Sequence, residues 1–196
     1  MKKLDKCKLC RRAGEKLFLK GERCGSPSCA LERRSYAPGQ HGSKPSRSRR
    51  KSDYAIQLNE KQKAKAIYGV SELQLLSYYK NALRVKGATG EKLMNMLESR
   101  VDNVVYRAGW ARSRQHARQL TTHGAIKING RRTRSAGQII KKGDTISINN
   151  TNDEIKRDLP PWIKKNNSTV EITSDPTHDR DQSIINDQLI IEFYSR

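Results

Sequence analysis

Leu97–Ile148, LESRVDNVVYRAGWARSRQHARQLTTHGAIKINGRRTRSAGQIIKKGDTISI, is the stretch whose reading decides the fold. Leading into it, Leu93, Leu97, Val101, Val104 or Val105, and Ala108 recur at intervals of three and four, one apolar helical stripe that Gly109 would end. Ser113 suits the N-cap of a second helix, with Ala117, Leu120 and Thr121 inward and His123-Gly124 as its stop. The same spacing sends Arg114 and Arg118 out along one face, with Gln115 and Gln119 beside them. After Gly124 the period changes to two. Ala125–Ile128 reads as a short strand, and Asn129-Gly130 as a two-residue hairpin turn, because both central positions of a type I′ turn need positive φ. Lys142-Gly143-Asp144 then turns the chain into a strand over Thr145–Ile148. The expectation is a helix pair packed on a few strands, with surplus positive charge.

Working outward, 196 residues with 34% hydrophobic content can bury one modest core or two small ones. The formal net charge of +20 would attract polyanions, of which nucleic acid is the most abundant in a cell. The charge is uneven: residues 1–51 hold 16 Lys/Arg against 4 Asp/Glu, residues 52–151 hold 18 against 7, and residues 152–196 hold 6 against 9. The cationic surface is therefore N-terminal and central, and the tail is mildly acidic. No apolar run approaches the roughly 18 residues of a membrane span, and the opening Met-Lys-Lys-Leu is followed by Asp5, Lys6 and Lys8 rather than by a signal peptide's apolar segment. A cytoplasmic protein is expected.

Cys7, Cys10, Cys24 and Cys29 are the only cysteines, spaced C-x2-C-x13-C-x4-C. Two close pairs separated by a loop allow four thiolates to surround one tetrahedral Zn²⁺, and Gly21, Gly25 and Pro27 supply the turns. Nearby Lys and Arg would lower the thiol pKa values and offset the charge of a four-thiolate centre. Two disulfides or an iron–sulfur cluster are the competing readings, and disulfides suit an oxidising compartment to which nothing here points. A structural rather than catalytic ion is expected, because four cysteines close the coordination sphere. His41 is a weak substitute ligand.

From Arg33 to Lys51 the chain reads RRSYAPGQHGSKPSRSRRK, broken by Pro, Gly and Ser and rich in cations. Arg47, Arg49, Arg50 and Lys51 are expected to neutralise phosphates, in a segment ordered only on its partner. Asp53 to Gly69 patterns as a helix with Tyr54, Ile56 or Leu58, Ala64, Ile67 and Tyr68 as its apolar side. Ser71-x-x-Gln74 is a capping box opening a helix to about Lys86 through Leu73, Leu76, Tyr79 and Leu83. Beyond Ile148, Leu159–Ile163 reads as an extended brace in which Trp162 packs rather than stacks on a base. Thr169–Ile172 and Leu189–Phe193 look strand-like.

SRVDNVVYRAG, SRQHARQL, HGAIKINGRR and KKGDTISI, in this order and spacing, resemble the RNA-binding domain named after small-subunit ribosomal protein four. Some pseudouridine synthases and tRNA synthetases share that domain, so the flanks decide. CKLCRR, KLFLKG, PGQHG, SDYAIQLNEKQKAKAIYGV followed by SELQ, and the terminal IIEFYSR resemble the bacterial small-subunit ribosomal protein four family across nearly the whole chain. The correspondence is weakest between Asn149 and Asp187, and SKPSRSRRK departs from the commoner spacing.

The resemblance implies an α+β, mainly helical fold in which N- and C-terminal segments form one domain and a small helix-pair-plus-strands domain is inserted. The implied divisions are a zinc-binding loop at 1–33, a basic extended segment at 34–52, a helical domain at 53–90, the inserted RNA-binding domain at 91–150, and a returning C-terminal segment at 151–196. It further implies a non-catalytic primary binder of 16S rRNA that recognises a helix junction in the 5′ domain and nucleates assembly of the small ribosomal subunit. Small-subunit protein five is the implied neighbour, with a role at the channel through which mRNA enters and in translational accuracy. By matching motif, Cys7, Cys10, Cys24 and Cys29 fall on the zinc positions, Arg47, Arg49 and Arg50 lie in the segment near mRNA, and Arg107, Arg114, Arg118, Gln119, His123, Asn129 and Arg131 fall on RNA-facing positions.

An RNA-modifying enzyme anchored by the same domain would need a catalytic module, and the chain has no H-x-E with P-C-x-x-C pattern, no Gly-rich phosphate loop and no uncommitted cysteine. His116, His123 and Asp102 could be drawn into acid–base chemistry, but Asp102 suits a capping or i,i+4 partner and His123 a helix end. A small RNA chaperone of the heat-shock or antitermination type would need neither the cysteine loop nor the FYSR tail.

Overall fold

The computed structural model describes residues 5–42, 52–149, 155, 157–178 and 184–196. The chain divides into two compact units, Met1–Val70 with Ile184–Arg196, and Ser71–Ser183. The architecture is mainly helical with one small antiparallel sheet. Among the described residues no helix is long and apolar enough to cross a membrane.

In the first unit, α1 (Lys6–Ala13) starts where the Asp5 carboxylate accepts the Cys7 N–H, and it ends at Gly14 in the left-handed region. A 3₁₀ turn over Gly21–Cys24 and the short α2 (Ala30–Arg33) follow. α3 (Asp53–Tyr68) is capped by Ser52 and stopped by Gly69, φ 63°. Its inward side is the expected one only in its C-terminal half, at Ala64, Ile67 and Tyr68. Tyr54 and Ile56 are exposed, while Gln57, Glu60, Lys61 and Lys63 are buried with Ala64, Ile67 and Tyr68. Burying the charged groups is tolerable because Glu60, Lys61 and Lys63 find partners, and Gln57 is served through its Nε2 while its Oε1 is buried without a hydrogen bond. The Lys63 ammonium lies 2.8 Å from Glu15 and 2.6 Å from Glu60, and Lys61 stands 4.1 Å from the centre of the Phe193 ring.

The partner helix is α8 (Asp187–Tyr194), which corrects the strand expected over Leu189–Phe193. Leu-Ile-Ile-Glu-Phe has strand propensity, but among the described residues it pairs with no strand. The Asn186 side chain accepts the Gln188 and Leu189 N–H groups and starts a helix instead. That helix buries Ile190 and lets Glu192 accept from Gln57 Nε2 at 2.9 Å.

In the second unit, α4 (Glu72–Leu83) has the expected capping box, with Ser71 Oγ accepting the Gln74 N–H and Gln74 Oε1 accepting the Ser71 N–H. The buried stripe is Leu75, Tyr79 and Ala82, whereas Leu73 is 79% exposed and Leu83 is exposed as well. Two interleaved stripes of similar spacing exist in this sequence, and packing against α5 (Thr89–Glu98) selects between them.

The single helix read from Leu93 to Ala108 is two, α5 and α6 (Val101–Arg107), separated at Ser99-Arg100. Arg100 adopts ψ 139° and bridges Ile139, and the Val101 N–H donates to the Gln138 carbonyl. These backbone bonds replace the helical ones at the break. The apolar stripe continues across it, so periodicity alone could not show the interruption.

α7 (Arg114–Thr122) starts at Ser113, whose Oγ accepts the His116 N–H, and stops at His123 before Gly124. β1 (Ile126–Ile128) and β2 (Arg131–Arg132) join through Asn129 and Gly130 at φ 49° and 78°, the predicted hairpin turn. β3 (Thr145–Ile148) pairs with β1, and a second hairpin, β4 (Ile163–Asn166) and β5 (Thr169–Ile172), continues the sheet in the order β2-β1-β3-β5-β4. One core results. Val101, Val104, Val105, Ala108 and Ala117 of the helices meet Ile126, Ile128, Ile146, Ile148, Val170, Ile172 and Trp162. Trp162 is 1% exposed and its Nε1 donates to the Thr177 carbonyl at 3.2 Å, so it packs.

Gly109 closes α6 at φ 79°, and a Cβ there would stand 2.3 Å from the Ile155 carbonyl oxygen. Gly109→Ala is expected to cost about 1–3 kcal/mol through the disallowed backbone, or more with the clash, read as a lower urea midpoint. A change smaller than a few tenths of a kcal/mol would contradict the observed turn.

Candidate nucleic-acid interface and metal centre

The cationic face of the second unit rests on buried acids. Glu98, 1% exposed at the end of α5, accepts Arg107 Nη2 on Oε1 at 3.0 Å and Arg107 Nε on Oε2 at 3.1 Å, and the same Oε2 accepts Asn103 Nδ2 at 2.7 Å. Asn103, also 1% exposed, turns its Oδ1 to Arg114 Nε at 2.8 Å. Burial alone would raise the Glu98 carboxyl, but His178 beside it, then Arg107 and Arg114, outweigh this and hold it well below the usual carboxylate range. Asp102 is neither a cap nor an i,i+4 partner. It takes Arg100 Nε at 3.0 Å and Nη2 at 2.6 Å, and Arg118 approaches it at 3.9 Å. Arg100 Nη1 donates to the Tyr78 hydroxyl at 2.9 Å.

Arg114 and Arg118 are therefore half-buried and anchored, not simply projected outward, while Gln115 and Gln119 are exposed. The difference follows from α6 lying alongside α7 and presenting Asp102 and Asn103 to it. The Arg114 guanidinium is 4.5 Å from the Tyr106 ring centre, and that of Arg157 is 3.7 Å from it. Arg157 also donates to the Tyr106, Ala111 and Arg112 carbonyls, and Lys165 to the Ala108 carbonyl, which neutralises the C-terminal end of α6. Arg157 and Lys165 escaped the sequence reading. The only available signal was their positive charge in a tail that is otherwise acidic.

The other positions lie at the α7 end and the first hairpin. His123 is exposed, and its carbonyl accepts from Arg132. Asn129 is exposed but its amide serves the turn, with Nδ2 donating to Asp144 at 2.8 Å and Oδ1 accepting the Thr145 N–H at 2.9 Å. Arg131, Arg134, Lys141 and Lys142 are exposed. His116 Nδ1 accepts the Arg112 N–H at 3.4 Å, and no acid–base arrangement links it to His123 or Asp102 among the hydrogen bonds of the described residues. Arg47, Arg49, Arg50 and Lys51 lie outside the described residues.

In the first unit the four cysteines are unbridged and line one cavity with Lys6, Leu19, Lys20 and Arg23. Cys10, Cys24 and Cys29 are buried, and the Lys20 N–H donates to Cys24 Sγ at 3.3 Å. His41 is exposed and does not line the cavity. The expected lowering of thiol pKa is corrected at Cys10, where burial, reinforced by the other three cysteines, raises it. Among the described residues no group of three or more Cys, His, Asp or Glu side chains is placed to hold a metal ion. The donor set nonetheless suits a soft or borderline divalent cation, since four cysteines, three of them buried, line one small cavity and a metal would offset the cost of ionising thiols there.

The Ribosomal protein S4/S9 N-terminal domain profile matches residues 2–98, and the S4 domain profile matches residues 99–146. The chain is 46% identical over 203 aligned positions to the small ribosomal subunit protein uS4 of Thermus thermophilus, covering 97% of this chain and 96% of that one. The chain belongs to the uS4 family of ribosomal proteins. Proteins of the same name from Natranaerobius thermophilus and Solidesulfovibrio magneticus are 43% and 45% identical, each over 97% of this chain and 96% and 97% of theirs. Membership makes the chain a structural, RNA-binding protein rather than an enzyme. The boundary between the two profiles falls at Glu98-Ser99, where the structure breaks α5 from α6.

Proposed function

We propose that this uS4-family chain is a primary rRNA-binding constituent of the small ribosomal subunit in the cytoplasm, seated on a helix junction in the 5′ domain of 16S rRNA and nucleating assembly there. The observation that carries the reading is the anchored face of Arg107, Arg114 and Arg118, continued by exposed Gln119, His123 and Arg131. Guanidinium groups held in place neutralise phosphates of converging RNA helices and release their counterions. Asn129 contributes by setting the hairpin that carries Arg131. Selectivity then comes from the spacing of contacts on RNA shape rather than from base edges.

The basic segment with Arg47, Arg49, Arg50 and Lys51 adds phosphate contacts near mRNA where it enters the subunit and so bears on accuracy, with small-subunit protein five as the neighbouring protein. Cys7, Cys10, Cys24 and Cys29 hold one structural Zn²⁺, which ties the two cysteine pairs together and so orders the N-terminal loop.

Binding to a 16S rRNA 5′-domain transcript is expected to exceed binding to an equal-length decoy by roughly a hundredfold or more at near-physiological salt. The preference should survive added salt, because non-specific phosphate contacts weaken for both RNAs alike. Equal affinities that collapse together with salt would reduce the protein to a polyanion binder.

A further inference from the structure

Glu98 presents a puzzle of sign. An RNA-binding face should gain from every positive charge and lose from every negative one, yet a carboxylate sits 1% exposed beneath this face, where desolvation is costly. Its bonds explain the placement. One carboxylate grips Arg107 through two nitrogens and, through Asn103, reaches Arg114. Arg107 comes from the end of α6, Asn103 from its first turn and Arg114 from the start of α7, so a single buried group aligns guanidinium groups from two helices. The Arg107 side chain remains 33% exposed. An arginine carries large rotamer entropy that binding must otherwise overcome, and a guanidinium already held in one orientation meets phosphate at lower cost.

We propose that Glu98 is a positioning residue of the RNA face, presetting Arg107 directly and Arg114 through Asn103 for phosphate. This rests on the rRNA-binding reading above. It also yields a prediction opposite to simple electrostatics: Glu98→Gln adds one unit of positive charge, which by itself tightens RNA binding, whereas loss of positioning weakens it.

The test uses the full chain and the 16S 5′-domain transcript, with folding of each variant verified by circular dichroism and thermal midpoint. Glu98→Gln is expected to weaken cognate binding about tenfold and Asn103→Ala, which removes the bridge to Arg114 together with the Nδ2 bonds to the Glu98 carboxylate and carbonyl but leaves the Glu98–Arg107 pair, about fivefold. In an Arg107→Ala, Arg114→Ala background the Glu98→Gln effect should shrink to within about twofold, because the groups it positions are gone. Arginine Nε–H resonances in NMR spectra of the RNA-free protein give an independent reading, and those of Arg107 and Arg114 should lose their dispersion and exchange protection in Glu98→Gln. Asn103→Ala supplies the binding and NMR readouts if Glu98→Gln does not fold.

Unchanged or tighter binding by a folded Glu98→Gln protein overturns the proposal, as does an undiminished effect in the double-Ala background. If the unsubstituted protein fails to prefer the cognate transcript, the rRNA reading falls instead, and the NMR result still decides whether Glu98 orients the arginines.

Discussion

Arg100→Ala is expected to lower the stability of the Ser71–Ser183 unit by about 3–5 kcal/mol, the range for breaking one side of a buried ion pair. Arg100 is 1% exposed, its guanidinium is held by Asp102 through two bonds and by Tyr78 through a third, and its main chain bridges Ile139 at the α5–α6 break. Truncation leaves the Asp102 carboxylate, 5% exposed, with only Arg118 at 3.9 Å among the ion pairs described, and it leaves a cavity beside Gly137, whose Cβ position lies 3.3 Å from Arg100 Nη1. The measurement is urea unfolding at neutral pH followed by tryptophan fluorescence, because both tryptophans, Trp110 and Trp162, are buried in this unit and report on it alone. An Arg100→Met, Asp102→Leu protein should recover most of the loss, since neither charge is then stranded. A single-variant loss below about 1 kcal/mol, the value of an exposed pair, would refute the buried-pair account.

Metal removal should have a larger and more local effect. Structural zinc contributes about 10–16 kcal/mol of apparent binding free energy at pH 7 in small zinc modules, and both cysteine pairs line one cavity here. The protein as purified is expected to carry one Zn²⁺ per chain by elemental analysis, to lose it in Cys24→Ser, and then to become protease-sensitive between Asp5 and Gly42. Tryptophan-detected unfolding serves as the internal control and should be little altered. Acidification should release the ion, because the thiolate ligands must be deprotonated to bind it and take up protons as the pH falls. A folded Cys24→Ser protein with full RNA binding and no metal would remove zinc from the description.

What the sequence by itself determined is the local grammar. The Ser71–Gln74 box, the Ser113 cap, the Asn129-Gly130 turn and the strand Thr145–Ile148 appear as read, because each depends on residues within a few positions of one another. Misreadings arose where two local solutions were nearly equal. Either stripe of α4 could have faced inward, Leu189–Phe193 satisfied strand and helix alike, and the stripe from Leu93 to Ala108 hid a break at Arg100.

Tertiary structure made those choices. It also assembled what no spacing could announce: Glu98 beneath Arg107 and Asn103, Arg157 against Tyr106 across 51 positions, and a hairpin from the least family-like stretch completing the sheet. Buried charges need partners, and those partners can come from anywhere in the chain. Thus the sequence specified which residues are cationic, and only the folded core decided which of them are held in place.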